Sequence, residues 1–278
     1  MLAELHSHTY YSKGTKILHE GLNSPEEMVR QAKKIGLDAI AITDHDEIKG
    51  TLEAKKLSKK FDILVIPGEE VSTADGHLVA LGINELVQPG LSIDETLDIV
   101  HDRGGVGIAA HPFSFNRRGL GSLAKKCDAA EIFNALNVER IANFKNRYFA
   151  KKYKLSKTAG SDAHCITMIG YGVTNTRASG LDEVLKAIRK GKTDVMGRYI
   201  PTKVIMDWSV SRLKFSYAYV IDYMNKNYNW PKKTIGRKLL GLVDKSPGNI
   251  DYLFRILAYF SLGSTVIYSV IRQVLGVK

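Results

Sequence analysis

The chain has little cysteine, with two residues in 278, Cys127 and Cys165. A disulfide framework therefore cannot hold this fold together, and the composition suits a reducing compartment. The first residues also lack the basic segment and the apolar core of a secretory signal, because Leu2–Leu5 leads directly to His6. On these grounds we expect a cytoplasmic protein.

Long apolar runs are also missing. Near the C-terminus, a run of 16 uncharged residues, Ile256–Ile271, lies between Arg255 and Arg272. A helix that spans a membrane needs about 20 predominantly apolar residues, so we expect no stable membrane insertion. The run predicts a buried helix that packs on the rest of the protein. Peripheral membrane docking and a partner interface are the alternatives.

Acidic residues are fewer than basic residues, and most of the difference lies near the C-terminus. The chain has 40 lysines and arginines against 29 acidic residues, and residues 199–278 hold 12 of the former against 4 aspartates. Such a surplus attracts polyanions, although a merely soluble basic surface has the same composition. Aromatic rings interleave with the cations, and together they predict a nucleotide or a single-stranded nucleic acid as partner unless the rings form a core. The rings are those of Tyr217, Tyr219, Tyr223, Tyr228 and Trp230.

Histidine is concentrated in short polar clusters. Six of the eight histidines lie in such clusters, and nearly every cluster follows a short apolar run. Imidazole and carboxylate groups without cysteine are ligands for divalent ions such as Zn, Mn or Fe. The clusters predict a metal site with more than one ion, and the candidate ligands are His6, His8, His45, Glu69 or Glu70, His77, His111, Asp162 and His164.

Apolar runs and segments of helical period alternate to about residue 190, which predicts βα units and a largely parallel sheet. Ligands at so many strand ends converge only if the strands surround them, so a closed α/β barrel is favoured over an open sheet. His77 begins its run, and we expect a hairpin or bulge to return it to the mouth. The predicted strands are Leu2–Leu5, Asp38–Thr43, Ile63–Pro67, His77–Ile83, Val106–Ala110, Ala129–Phe133 and Lys157–Ala159. We therefore expect a barrel domain in residues 1–198 and a basic, all-helical module in residues 199–278.

In their order, the clusters resemble the motifs of the PHP (polymerase and histidinol phosphatase) family over residues 1 to about 195. The resemblance implies a distorted (β/α)7 barrel of the TIM type with two or three divalent ions at its mouth. One ion would be held by His6, His8, Glu70 and Asp162, a second by bridging Glu70 with His77 and His111, and a third with help from His45 and His164. The choice of Glu70 over Glu69 follows the family's Gly-x-Glu spacing.

Two positions depart from the family pattern. Glu4 stands where the family usually has aspartate, and Lys13 or Gly14 where members with a third ion place aspartate or histidine. His19 or Glu20 could supply the missing ligand from the same loop. Alternatively, Lys13 could bind a substrate phosphate.

Two neighbouring divalent ions need a bridging carboxylate, and Glu70 or Asp162 can provide it as catalytic residues. Such a pair makes a bridging hydroxide available near neutral pH and neutralises charge on a phosphoryl group. Hydrolysis of phosphate esters is thus favoured over that of amides, with Arg117, Arg118 and Asn134 as further substrate-binding candidates. We expect a metal-dependent phosphoesterase that acts on nucleotides or on 5′-terminal nucleic-acid phosphates as an exonuclease or nucleotide phosphatase. A small-metabolite phosphatase, for example for histidinol phosphate, and a non-hydrolytic accessory module are the alternatives.

Overall fold

The computed structural model describes residues 1–14, 16–114, 118–138 and 140–274, and this part of the chain contains nine strands and nine α-helices. The strands are β1 (Leu2–Glu4), β2 (Ala39–Ile42), β3 (Leu64–Ser72), β4 (His77–Leu81), β5 (Val106–Ala109), β6 (Ala129–Asn134), β7 (Ser156–Gly160), β8 (Gly172–Asn175) and β9 (Asp194–Gly197). The helices are α1 (Pro25–Lys34), α2 (Lys49–Phe61), α3 (Ile93–Asp102), α4 (Ile141–Tyr153), α5 (Leu181–Arg189), α6 (Thr202–Phe215), α7 (Tyr217–Asn227), α8 (Lys232–Val243) and α9 (Ile250–Val274).

The first seven strands form a barrel that closes at its mouth. The sheet order is β7-β6-β5-β4-β3-β2-β1-β8-β9, with β4 antiparallel to both of its neighbours. At the mouth, the segments that follow β1 and β7 pair in parallel: the His8 amide donates to the Ala163 carbonyl at 2.7 Å, and the Ala163 amide donates to the His6 carbonyl at 3.2 Å. The expected distorted (β/α)7 barrel with C-terminal helices is confirmed.

Below this pairing lies a seam where β8 stands between β1 and β7. Strand β8 pairs with β1 through the backbone, but it meets β7 through side chains. The Thr174 hydroxyl accepts from the Ala159 amide at 2.9 Å and donates to the Ala159 carbonyl at 3.0 Å. The Gly172 amide donates to the Ser161 hydroxyl at 2.8 Å. Side-chain hydrogen bonds thus replace a strand ladder on this side of the barrel.

The hairpin β3–β4 returns His77 to the mouth, as expected. Ser72 pairs with His77 and Glu70 with Val79, so the start of β4 lies beside the end of β3. Strand β3 continues past its predicted end at Pro67, because its partner β4 supplies hydrogen bonds that the local sequence does not indicate. Strands β8 and β9 were not predicted, since neither contains a continuous apolar run like those of the predicted strands.

Helix α6 attaches the C-terminal module to the barrel. Trp208 and Ile200 belong to the same buried cluster as core residues of the barrel. The helices α7 and α8 bury a small core of their own around Met224, Leu240 and Val243. The predicted helical character of residues 199–278 thus holds for the described part of this segment.

The prediction that Ile256–Ile271 is buried is wrong. Helix α9 packs along α6 with one side only, where Phe254, Ala258 and Leu262 line a groove shared with α6. Large apolar residues on its other side are exposed. By length and composition, Ile250–Tyr268 could cross a membrane, and none of the apolar window within it is buried. Apolar composition alone could not show that only one side of this helix has a protein neighbour.

We expect Gly172→Ala to destabilise the barrel at the seam. The added Cβ would lie 2.2 Å from the Gly160 carbonyl oxygen, so the strands must move apart. Overpacking of this kind costs about 1–3 kcal/mol, and chemical denaturation should show a loss of that size in the free energy of unfolding. Gly180→Ala is the control, because its Cβ would meet nothing within 4 Å. Equal stability of the two variants would contradict a tightly packed seam.

Candidate metal centre

The Glu70 carboxylate lies at the centre of the mouth, fully buried and surrounded by imidazole rings. Its Oε1 is 3.1 Å from His77 Nδ1 and 3.1 Å from His111 Nε2. Its Oε2 faces three more ring nitrogens, the Nε2 atoms of His6 at 3.0 Å, His8 at 3.2 Å and His45 at 3.3 Å. Each oxygen of one carboxylate therefore belongs to a different group of imidazoles, which is the arrangement of a bridging ligand.

Asp162 lies beside several of the same imidazoles. Its Oδ1 is 3.4 Å from His8 Nε2 and 3.4 Å from His164 Nδ1. The other oxygen, Oδ2, is 3.9 Å from His111 Nε2. Glu70 and Asp162 thus both lie next to the rings of His6, His8 and His111.

A third group forms where the loop before α1 meets the mouth. Candidate ligand atoms of His8, His45 and His164 lie within 4.8 Å of one another. Glu20 Oε2 is 3.5 Å from His45 Nε2 and 3.9 Å from His164 Nε2. Glu20 is therefore the loop carboxylate that could complete this group.

The other two candidates from this loop lie elsewhere. His19 Nδ1 is 3.2 Å from the Tyr10 carbonyl, and the His19 ring packs edge-on against Phe215. Lys13 is exposed. Of the two residues proposed to replace the missing ligand, the structure brings only Glu20 to the histidines.

Four overlapping groups of buried or half-buried ligand atoms are consistent with multiple metal ions among the described residues. Each group has its ligand atoms within 4.8 Å of one another. The groups are His6–His8–Glu70, His6–His111–Asp162, His45–Glu70–His77 and His8–His45–His164. The ligand set, nitrogen and carboxylate oxygen without sulfur, suits Zn, Mn or Fe alike.

Strand geometry explains why these side chains meet. His6 and His8 follow β1 at a spacing of two, which places both on one side of an extended chain. His45 follows β2 and pairs with Glu70 in a parallel bridge. His111 and Asp162 follow β5 and β7 in the same way. Because parallel strands of a barrel end at the same rim, residues distant in sequence become neighbours.

Glu131 is a site residue to which the sequence analysis assigned no role. Its Oε1 lies 3.1 Å from His6 Nδ1, and its Oε2 accepts from the His111 amide at 2.8 Å. A register shift between Glu131 and Phe133 turns Asn134 to the same side of β6 as Glu131. The signal was present, because an acidic residue stands in an otherwise apolar run. The shift itself could not be read from alternation.

Asn134 supports the carboxylates in this arrangement. Its side-chain amide donates to Glu131 Oε2 at 2.9 Å and to Asp162 Oδ2 at 3.0 Å. Its carbonyl oxygen accepts from the Leu136 amide at 3.0 Å. Asn134 therefore links the carboxylates of Glu131 and Asp162 through hydrogen bonds. A direct contact of Asn134 with substrate stays a prediction.

Two cationic side chains were proposed to bind substrate together with Lys13. Arg118 is exposed, and its guanidinium donates to the Thr73 carbonyl at 3.1 Å. Its own carbonyl accepts from the His77 amide at 2.6 Å, so its backbone lies beside the mouth. Arg117 lies outside the described residues. The substrate-binding roles of Arg117, Arg118 and Lys13 stay predictions.

The site has a potential that favours cations. Burial alone would lower the pKa of His6, but the carboxylates of Glu70 and Glu131 raise it to about 10. Burial would raise the pKa of Glu70, but His45, His6 and His77 hold it well below its usual value. Positive charge is therefore favoured on the His6 ring, whereas burial holds the pKa of His45 well below its usual value. The same potential would favour a divalent ion at the ring nitrogens.

Glu4 supports the chain segments that carry the ligands. It is fully buried at the seam, where its Oε1 accepts from the Ser161 amide at 2.8 Å and the His6 amide at 3.3 Å. Burial raises the pKa of Glu4 to about 7, although these hydrogen bonds oppose the rise. Glu4 therefore joins the segment that carries His6 to the segment that carries Asp162. Its side chain also reaches the Gly170 amide at 3.1 Å.

Two candidate ligands occupy strained backbone conformations. His111 has φ of 31° and Asp162 has φ of 54°, in the left-handed region that residues with a side chain rarely adopt. Such conformations cost about 1–3 kcal/mol each and persist where the surroundings over-determine them. Backbone strain at two residues whose side chains belong to one cluster is typical of a functional site.

The C-terminal module contributes a wall to the third group. The Trp208 indole on α6 donates to the Glu20 carbonyl at 2.9 Å, and its ring centroid lies 4.8 Å from that of His164. The Ser216 hydroxyl accepts from the His19 amide at 3.2 Å. The sequence analysis assigned Trp208 no role in the site, because the contact joins residues far apart in sequence and follows no motif.

A nearly closed α/β barrel with several buried His/Asp/Glu groups at its mouth is consistent with the class of metal-binding barrel proteins, and comparisons with known proteins agree in fold. A family model described as PHP-associated matches residues 140–193. The uncharacterized protein MJ1587 of Methanocaldococcus jannaschii is 38% identical over 149 residues, which cover 51% of this chain and 87% of that protein. The error-prone DNA polymerase of Nocardia farcinica is 41% identical over 70 residues, 25% of this chain and 6% of the polymerase.

Two solved structures share the fold. PsfC from Pseudomonas syringae superimposes with a TM-score of 0.57 at 16% identity, over 77% of this chain and 98% of that one. A Bifidobacterium adolescentis protein to which metal-dependent phosphoesterase activity is ascribed has a TM-score of 0.50 at 18% identity, over 69% of this chain and 96% of that one. The chain belongs to the PHP family.

We expect Glu70→Gln to lower the number of divalent ions that the protein retains by more than Glu20→Gln does. Glutamine keeps the shape of Glu70 but removes the charge between two groups of imidazoles. Glu20 is half-buried and lies at the edge of one group. Elemental analysis after dialysis against Mn²⁺ or Zn²⁺ gives the ions per chain. If Glu20→Gln lost as many ions as Glu70→Gln, Glu70 would not be the bridging ligand.

We expect Trp208→Ala to weaken binding of the most weakly held ion about tenfold or more, the usual effect of removing a partner that orients a ligand. Isothermal titration with Mn²⁺ measures each dissociation constant. Trp230→Ala is the matched control, because the only other tryptophan is 81% exposed. Trp208→Phe keeps a ring against His164 and should recover part of the affinity. Identical titrations for the Trp208→Ala and Trp230→Ala variants would reduce Trp208 to a packing residue.

Proposed function

We propose that this protein is a metal-dependent phosphoesterase, which hydrolyses phosphate esters with two or three divalent ions held by His6, His8, Glu70, Asp162 and their neighbours. The observation that carries the proposal is the bridging position of Glu70. One fully buried carboxylate separates two groups of imidazoles at 3.0 to 3.3 Å. Ions bound there would lower the pKa of a coordinated water and neutralise charge on the phosphoryl group.

The charge of the cluster supports an anionic substrate. With three divalent ions bound, the carboxylates of Glu70, Asp162, Glu20 and Glu131 would offset four of the six positive charges. Neutral imidazoles offset none of them. The remaining positive charge favours a phosphate ester over a neutral amide, because phosphoryl transfer depends on charge neutralisation and positioning.

The residues around the ligands hold them in the required orientation. Glu131 Oε1 can accept from His6 Nδ1–H at 3.1 Å, which would leave Nε2, the nitrogen beside Glu70, free to bind an ion. Ser12 Oγ lies 3.2 Å from His8 Nδ1 and does the same for His8. Asn134 orients Asp162. The ligand atoms are therefore prearranged before substrate arrives, and little reorganisation is left for the reaction.

We further propose that the substrates are nucleotides or 5′-terminal phosphates of single-stranded nucleic acid. The likeness to error-prone DNA polymerases over 70 residues supports a nucleotide class of substrate. On the module, Trp230 is exposed, and the Lys232 ammonium stacks over the Tyr228 ring at 4.4 Å. Exposed cations of α8, including Arg237, continue this surface. Rings and cations in this mixture suit bases and phosphates.

The test is a metal-reconstituted assay with nucleotides, 5′-phosphorylated oligonucleotides, and sugar or amino-alcohol phosphates. We expect chelation to abolish hydrolysis and Mn²⁺ or Zn²⁺ to restore it, with Glu70→Gln about 10²-fold or more lower in kcat. Oligonucleotide KM should rise with salt as bound phosphates regain counterions. Full activity after exhaustive chelation would contradict the proposal.

The same assay separates the substrate classes. If Trp230→Ala with Arg237→Ala raises KM for oligonucleotides several-fold but leaves KM for mononucleotides unchanged, the module binds a strand. A preference for sugar or amino-alcohol phosphates, with no effect of the double variant, would instead identify a small-metabolite phosphatase. These two exposed positions lie outside the cluster of ligands, so the variants leave the chemistry itself intact.

A further inference from the structure

Helix α9 presents an apolar surface for which the described residues provide no cover. We call this surface the α9 apolar face. Three of its aliphatic and phenyl side chains are largely exposed, Phe260 at 75%, Ile256 at 65% and Ile267 at 63%. They lie opposite the side that packs on α6, since Phe254, Ala258 and Leu262 follow the other side of the same helix. The members of the face are Tyr252, Ile256, Phe260, Ile267 and Ile271.

This face has the composition of a membrane-binding helix. The stretch Ile250–Tyr268 has the length and mean hydropathy of a candidate membrane helix, and its apolar window is not buried. A core helix would be buried, and a signal sequence would precede the folded domain, whereas α9 follows the barrel. Only 16 uncharged residues separate Arg255 from Arg272, and spanning needs about 20. A position across the bilayer would also require α9 to lose its contacts with α6. The helix therefore suits the plane of the interface rather than a spanning position.

The charge around the face complements an anionic lipid surface. Residues 199–278 carry 12 basic residues against 4 aspartates and contain no glutamate. Lys203, which also pairs with Asp207 at 2.6 Å, and Arg255 line a depression between α6 and α9 beside Tyr259. Basic residues at the edge of an apolar face are attracted to anionic headgroups while the face enters the acyl region.

We propose that the protein docks on anionic membranes through the α9 apolar face, with α9 lying in the plane of the lipid surface. A second copy of this chain is the less suitable occupant. A symmetric contact through α9 would bring two strongly basic modules together, and like charges oppose such an approach. The bilayer offers both the apolar interior and the opposite charge. The proposal is independent of the enzymatic function.

The experiment is cosedimentation of the full-length protein with vesicles of phosphatidylcholine alone or mixed with phosphatidylglycerol. The test variant is Ile256→Ser/Phe260→Ser/Ile267→Ser, and circular dichroism confirms that it is folded. The matched control is Phe144→Ser/Tyr148→Ser, because these residues of α4 are 73% and 66% exposed but lie on the barrel. We expect the wild type and the control to bind mixed vesicles alike. The triple variant should bind about tenfold or more weakly, since apolar area drives interfacial binding.

The charge contribution is tested separately. Arg255→Gln should lower binding to mixed vesicles several-fold while binding to phosphatidylcholine alone changes little, and added salt should have the same effect. The proposal is overturned if the wild type binds neither kind of vesicle, or if the triple variant binds like the wild type. Sedimentation velocity without lipid addresses the second copy. A wild-type dimer that the triple variant loses, together with no vesicle binding, would assign the face to self-association.

Discussion

The buried charge of Glu70 is the constraint on which the mouth of the barrel depends. A carboxylate that is removed from water must be paired or bind a metal, because its desolvation is otherwise too costly. Here five ring nitrogens lie within 3.3 Å of its two oxygens. The rings come from five separate positions along the chain, so the carboxylate can be satisfied only if the strands surround it. The buried charge of Glu70 is therefore paired only when the barrel brings these strand ends together.

Much of this arrangement was predictable, since each ligand stands at the end of an apolar run and a barrel brings such ends together. The place of His77 followed from the same reasoning, because a hairpin or a bulge was needed to return it to the mouth, and the structure has a hairpin. The contributions of Glu131 and Trp208 were not predictable. One depends on a register shift within β6, and the other on a tertiary contact between α6 and the loop before α1. Local patterns carry no information on either.

The exposure of α9 could not be predicted from its composition for a related reason. An apolar helix is equally suited to a protein core, a partner or a lipid surface, and only its neighbours distinguish these environments. In the structure, α6 has neighbours on two sides. Trp208 packs against His164 at the metal centre, while the groove that α6 shares with α9 lies along Met206 and Val210. A single helix therefore connects the third group of ligands to the surface proposed to meet lipid.

The closure of the barrel at its mouth has a consequence for the integrity of the whole chain. Two backbone hydrogen bonds join the segments after β1 and β7, and the flanking residues His6, His8 and Asp162 belong to the candidate ligand groups. An ion held jointly by these side chains would tie together positions about 150 residues apart. Closing so long a loop is entropically costly in an unfolded chain, and the free energy of metal binding becomes free energy of folding. The two cysteines of this protein form no disulfide. A bound metal would instead cross-link the segments that follow β1 and β7.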